Sequence, residues 1–444
     1  MKQKEDFLKS VCALAIPVAL QSMLQSSFSM VDQVMIGQLG SASVAGVGLA
    51  GKFASIFSVV IAAVGAAAGI MLSQYLGQKN AAQVRRSFFS NLYLAAGIAG
   101  GFTLLCLLLP RQIMGLYTGD PATRQEAADY LLLMAATFLP MAGATLLSTL
   151  FRCNGQPRLP LYASIASALL NTALNYLLIF GKLGFSPMGV RGAAVATVIS
   201  QWINFLLMGL MLLRYPIPNA KGQRSRGNRK QYLSILLPIL VCEVVWSLGE
   251  NVYAAIYGRM STEAGAAMTL TNPVQGLLIG ALCGLSQAAG VLVGKKLGEG
   301  DNEAAYRSAK KLILYGAVGA AILSGAVALA APLYVRLYRV EPQVQLLTVQ
   351  VLWVYALIAP VKVLNMILSG GILRSGGRTK YVMYIDMVGT WCFGVPLGLL
   401  AAFGLGLSIP WVYLFLSLEE CVRLAIAVVV FLKKRWMNRL EAKA

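Results

Sequence analysis

Long apolar stretches separated by short polar turns fill almost the whole chain, and their lengths decide what they form. A helix that crosses a bilayer needs about 20 mostly apolar residues. Twelve runs reach that length: 11–36, 44–74, 88–110, 128–150, 160–182, 190–213, 233–258, 264–294, 311–334, 345–370, 380–404 and 408–432. The polar residues inside them fall at helical spacing, so the pattern predicts an all-α polytopic membrane protein with twelve transmembrane helices. The first run is expected to be a span and not a cleavable signal. It is long, lacks a small-residue cleavage site and is followed at once by a second span.

Composition agrees and removes several kinds of chemistry. Of 444 residues, 58% are hydrophobic and 12% charged, against about 25% charged in ordinary soluble proteins. The chain has no histidine, which excludes His-ligated metals, His-based triads and His proton shuttles. Its seven cysteines lie mostly in apolar runs with no CxxC pair, so they read as small buried hydrophobes and not as a disulfide or zinc framework. No GxxxxGK[ST] stretch is present, so ATP is not expected to drive this chain.

A net charge of +20 would suit a nucleic-acid binder, but its distribution points to a membrane. Twenty-seven of the 37 Lys and Arg residues lie in the N-terminus, 75–87, 151–159, 214–232, 295–311, 371–380 and the C-terminus. Seven occupy the alternate connections, and Lys52, Lys362 and Arg423 fall inside spans. This asymmetry predicts cytoplasmic termini at both ends of a multi-pass cell-membrane protein. The basic cluster from Lys221 to Lys230 then reads as a cytoplasmic linker near anionic lipid; without interleaved aromatics, no nucleic-acid partner is expected.

The chain also resembles itself at an offset of 221 residues. Pro17 falls on Pro238, Gly37 on Gly258, Ala67-Ala68-Gly69 on Ala288-Ala289-Gly290, Leu76-Gly77 on Leu297-Gly298, and Pro121 on Pro342. No gap is needed from 17 to 121, and 19 of those 105 positions are identical. Two six-helix lobes follow, 1–213 and 233–444, joined by the linker 214–232. An even number of spans in each makes the repeat parallel, about an axis along the membrane normal.

Ionisable groups inside a bilayer cost at least about 2.5–3.5 kcal/mol each, so they need a partner, a cavity or a function. Asp32 ends a polar line of Gln21, Gln25, Ser29 and Asp32 on one helix face. Apart from Asp129, at the very start of the fourth run, it is the only acid in the spans of the first half. Ser167, Asn171 and Asn175 form a similar stripe that serves either as interhelical glue or as a ligand shell for an ion at Asp32. In the seventh span Glu243, Ser247, Glu250 and Asn251 share a face, which favours cation binding over a buried network with Lys52 or Lys362. Asp386 fits a functional and a structural role equally. Glu419 and Arg423 have the i, i+4 order of a structural helix pair.

Several segments carry a family resemblance. Pro17 through Val31-Asp32 to Met35-Ile36-Gly37 resembles the first helix of the multidrug and toxic compound extrusion (MATE) transporters. Glu243, Trp246-Ser247-Leu248-Gly249 and Tyr257-Gly258-Arg259 resemble the seventh helix of the bacterial branch. Leu373-Arg374-Ser375-Gly376-Gly377 and Arg152-Cys153-Asn154-Gly155 resemble the family's equivalent loops in the two halves. The resemblance implies a secondary-active, cation-coupled exporter of amphipathic organic cations, without enzymatic activity and without a cofactor. We expect H⁺ or Na⁺ coupling at Asp32 with Asn171 and Asn175, and no metal beyond Na⁺ there. Substrate is expected near Gln25, Glu243, Glu250 and Asp386, in a monomer whose other partner is the lipid bilayer. Asn175 departs from the pattern, since many members carry an aspartate there. A lipid or polysaccharide-precursor flippase is the rival reading, but anionic cargo would call for more central Arg or Lys. A channel is disfavoured by the absence of a pore-loop motif, and an intramembrane enzyme by the absence of a paired nucleophile and base.

Overall fold

The computed structural model describes residues 2–39, 41–184, 186–218, 229–336, 338 and 340–441. Most of the linker read at 214–232, including Lys221, lies outside the described residues. Every regular element among the described residues is helical. The α-helices are α1 (Lys2–Gly37), α2 (Ser41–Gly77), α3 (Ala81–Leu108), α4 (Pro110–Gly115), α5 (Pro121–Met134), α6 (Phe138–Cys153), α7 (Arg158–Phe180) and α8 (Gly189–Arg214). They continue with α9 (Arg229–Met260), α10 (Thr262–Glu299), α11 (Asn302–Val335), α12 (Pro342–Asn365), α13 (Thr379–Met387), α14 (Val395–Leu399) and α15 (Ile409–Leu432). Wider π-helical turns occupy Met366–Leu373, Val388–Gly394 and Leu400–Gly404.

Eleven helical stretches among the described residues are long and apolar enough to cross a membrane. The run read at 408–432 forms α15, 24 residues long and as apolar as the others apart from three charged residues near its middle, Glu419, Glu420 and Arg423.

The sequence repeat reappears in the local structure. Asn80 and Asp301, 221 residues apart, both cap a helix: Asn80 Oδ1 accepts from the Gln83 N–H at 3.0 Å, and Asp301 Oδ1 from the Ala304 N–H at 2.8 Å. Both side chains satisfy a first-turn donor that the helix itself leaves unpaired. Pro121 and Pro342, again equivalent, both open a helix, where the missing N–H of proline costs nothing.

The contacts divide the chain into two compact units. Among the described residues, the first holds 2–19, Ser73–Lys79 and 229–441; the second holds Leu20–Leu72 and 80–218. In the first unit a continuous core joins Val11, Leu285, Tyr355, Ile367, Leu373 and Trp436. In the second, Phe57, Phe102 and Phe138 pack ring against ring, with Phe57 and Phe138 centroids 4.5 Å apart.

Within the first unit, the end of α2 crosses α10 at two equivalent glycines. A Cβ on Gly77 would overlap the Lys295 carbonyl, and one on Gly298 the Gln74 carbonyl. Gln74 and Lys295 are themselves 221 residues apart, so the crossing repeats itself about a local two-fold. Only glycine lets two helix backbones approach this closely. The fully buried Gln74 amide completes the join: its Nε2 donates to the Ser375 carbonyl (2.7 Å) and the Asn438 carbonyl (3.0 Å), and its Oε1 accepts from the Leu440 N–H (2.8 Å). Gln78 adds a bond to the Leu440 carbonyl at 2.8 Å. Gln74→Ala should therefore strand two buried backbone groups and a half-buried one, and cost about 3 kcal/mol. The variant should unfold at lower temperature in detergent, and carboxypeptidase should digest its residues after Leu432 faster than those of the parent; an unchanged melting curve would refute the role.

Candidate functional site

Among the described residues each unit contains a cluster of buried or half-buried acids and amides within its spans. In the second unit, α1 brings Asp32 against α7. Asn175 Nδ2 donates to Asp32 Oδ1 at 2.7 Å. The Asn171 amide is satisfied in the orientation where its nitrogen donates to Asp32 Oδ1 (3.0 Å) and Oδ2 (3.1 Å) and its oxygen accepts from the Ser200 hydroxyl (3.1 Å). Ser200 Oγ also meets the Ala196 carbonyl, and Ser167 Oγ donates to the Ser200 carbonyl at 2.7 Å, tying α7 to α8. Asn175 is 1% exposed, yet its Oδ1 has no partner. A buried acceptor without a donor is uncommon and calls for an explanation. Here the orphan oxygen belongs to the residue that holds the only acid of this cluster.

Asp32, Asn171 and Asn175 are thus brought together. Gln25, on the same helix, is exposed and stands outside this network. Gln21, one turn further back, donates to Ser164 Oγ at 2.8 Å. Sequence reasoning did not single out Ser200; a lone serine in an apolar run gives no signal until its neighbour across the helix pair is known.

In the first unit the charged groups are denser. Arg423 on α15 faces three acids: Asp386 in a close ion pair, Glu420 at 3.5 Å and Glu419 at 3.8 Å. Asp386, Glu419 and Glu420 are all buried. Tyr253 Oη donates to Glu419 Oε2 at 2.5 Å, Asn365 Nδ2 to Glu420 Oε2 at 2.7 Å, and the Cys242 thiol to Asp386 Oδ2 at 2.7 Å. Arg374 Nη1 donates to Glu243 Oε1 at 3.0 Å, and its Nη2 to Cys242 Sγ at 3.2 Å. Glu243 and Asp386 therefore each hold a guanidinium; the base beside Glu243 is Arg374, not Lys52 or Lys362.

Glu250 is different. It lines a cavity of about 470 Å³ with Tyr253, Tyr257, Met268, Gln275, Lys362, Tyr413 and Glu419. The size lies in the range of small-molecule pockets. Neither Glu250 nor Lys362 has an ion pair within 4 Å or a hydrogen bond among the described residues. Lys362 Nζ sits 5.9 Å from the Tyr413 ring centroid, within cation–π reach. Glu250, Tyr253 and Tyr257 are spaced i, i+3 and i+7 on α9, a helical face readable from sequence. Lys362, Gln275 and Tyr413 come from three other elements, and nothing in their spacing joins them.

A helical membrane protein with buried charges in its spans and a small-molecule cavity belongs to the transporter class. The MatE family model matches residues 17–177 and 238–400, two segments whose starts are 221 residues apart, as in the internal repeat. The chain belongs to the MatE family, whose members are transporters and not enzymes. It is similar to a probable multidrug resistance protein NorM of Thermotoga maritima, 26% identical over 444 residues that cover 98% of this chain and 94% of that protein. Multidrug and toxin extrusion protein 2 of Oryctolagus cuniculus is 24% identical, over 95% of this chain and 69% of its own length. Among solved structures, a mutant of the Vibrio cholerae MATE transporter VcmN superposes with a TM-score of 0.89 at 17% identity, covering 98% of both chains.

Proposed function

We propose that this chain is a secondary-active exporter of amphipathic organic cations, driven by inward flow of H⁺ or Na⁺ through a site at Asp32. Its twelve spans, with α15 as the twelfth, form two six-helix lobes, 1–213 and 233–444, that alternate access across the cell membrane. Both termini are cytoplasmic, and the chain works as a monomer.

One observation carries this reading: Asp32 is held by two amides, and one of them keeps a buried oxygen in reserve. Two amide N–H groups suit a carboxylate. A proton on Asp32 would turn one of its oxygens into a donor facing an N–H. Rotation of the Asn175 amide removes the clash, because its orphan Oδ1 then accepts the new O–H. A sodium ion would draw the same oxygen, since hard cations take oxygen ligands. In either case ion uptake rearranges the contact between α1 and α7, and a site with two discrete arrangements is what coupling requires. Release of the ion to the cytoplasm restores the first arrangement.

The relatives' designations as multidrug resistance and toxin extrusion proteins support small-molecule cargo. The aromatic, Met- and acid-lined cavity supports an amphipathic molecule with a cationic group. A flippase for anionic precursors fits less well, because Arg374 and Arg423 are already spent on carboxylates.

The test is efflux of a cationic dye from proteoliposomes under an imposed pH gradient or an imposed sodium gradient. Uphill export is expected with one of them. Passive equilibration under both would refute the exporter reading.

A further inference from the structure

We propose that the cavity of the first unit takes dipolar molecules, with an anionic group read by Lys362 and a cationic group by Glu250. The inference rests on the exporter reading and narrows its cargo.

Of the three basic side chains drawn into this unit's buried charge cluster, two are already occupied. Arg374 is spent on Glu243, and Arg423 on Asp386, Glu419 and Glu420. Lys362 lines the cavity instead, outside ion-pair distance of any carboxylate among the described residues. Glu250 lines the same cavity with no basic partner among the described residues. An ammonium and a carboxylate that share a cavity without collapsing onto each other leave two opposite charges to be met. One molecule bearing a carboxylate or phosphate and an ammonium meets both at once. Tyr253, Tyr257 and Met268 offer apolar surface for the body of such a molecule, and Gln275 a hydrogen-bonding amide. A purely cationic ligand would satisfy Glu250 but be repelled by Lys362, as any like-charge juxtaposition is. The competing role for Lys362 is charge balance alone, since five carboxylates (Glu243, Glu250, Asp386, Glu419 and Glu420) face three cations here.

Rhodamine B and its methyl ester separate the two roles. They share one fluorophore, but the acid is a zwitterion at neutral pH and the ester a cation. Binding to the purified full-length protein is measured by fluorescence anisotropy. The parent should bind the acid about tenfold more tightly than the ester, the value of one charge-assisted contact. Lys362→Met should abolish that preference by weakening the acid alone, Lys362→Arg should keep it, and Glu250→Gln should weaken both dyes. A parent that binds the ester as tightly as the acid overturns the proposal, whether or not the Met variant folds. Equal weakening of both dyes in Lys362→Met, with a lowered unfolding temperature, overturns it in favour of charge balance. If the parent binds neither dye, the proposal falls; gradient-driven efflux of another cationic dye then decides whether the exporter reading falls with it.

Discussion

Asp32→Asn should insert, fold and bind cargo like the parent, and yet drive no uphill export. The substitution keeps the size of the side chain and leaves an oxygen to accept from Asn175, whose bond to Asp32 is 2.7 Å in the parent. What it removes is the ability to change charge. Among the described residues no second acid stands in this cluster, where the amide of Asn175 lies against Asp32 instead. An exporter without a titratable or ion-binding group at its coupling site has one arrangement of the α1–α7 contact where it needs two, and differential affinity between states is lost. Dye efflux from vesicles should fall to the level of protein-free vesicles under proton and sodium gradients alike, while dye binding to the same preparation persists. Transport at the parental rate under either gradient would place coupling elsewhere, with Glu250 the next carboxylate to try.

Arg423→Met should have the largest effect on stability. Its guanidinium is the shared counter-charge of Asp386, Glu419 and Glu420, and both sides of that contact are about 90% or more buried. Removing one partner of a buried ion pair costs about 3–5 kcal/mol, because the charge left behind is neither solvated nor paired. Here three carboxylates are left at once. Tyr253, Asn365 and Cys242 still donate to them, which softens the loss without replacing a charge. The variant should express poorly and unfold well below the parent in detergent. Joint replacement by Arg423→Met and Asp386→Asn should recover part of the loss, as a double-mutant cycle would register. A single variant as stable as the parent would refute the network's structural role. Gln74→Ala, by contrast, breaks only neutral hydrogen bonds and should cost less.

Much of this molecule was legible in the order of its residues. Apolar run length alone predicts helices across most of the chain, because a bilayer leaves the backbone no partner but itself. The 221-residue repeat was legible too, including the equivalent prolines Pro121 and Pro342, since proline acts within one turn of chain. The pairing of Asp32 with Asn171 and Asn175 could be anticipated only as a coincidence of stripes on two helices. The spacing within each stripe is local, but which helix faces which is not.

What the tertiary structure decided is which charges are spent. In the sequence Glu243, Glu250 and Asp386 look alike: acids in apolar spans with no basic residue within one helical turn. Folding brings Arg374 to Glu243 across 131 residues and Arg423 to Asp386 across 37, while Glu250 and Lys362 are left facing a cavity. Run length and periodicity are properties of neighbouring residues, and the sequence determines them by itself. Neutralisation of a buried charge is a property of distance in space, falling steeply over a few ångströms, and only the packed helices set those distances.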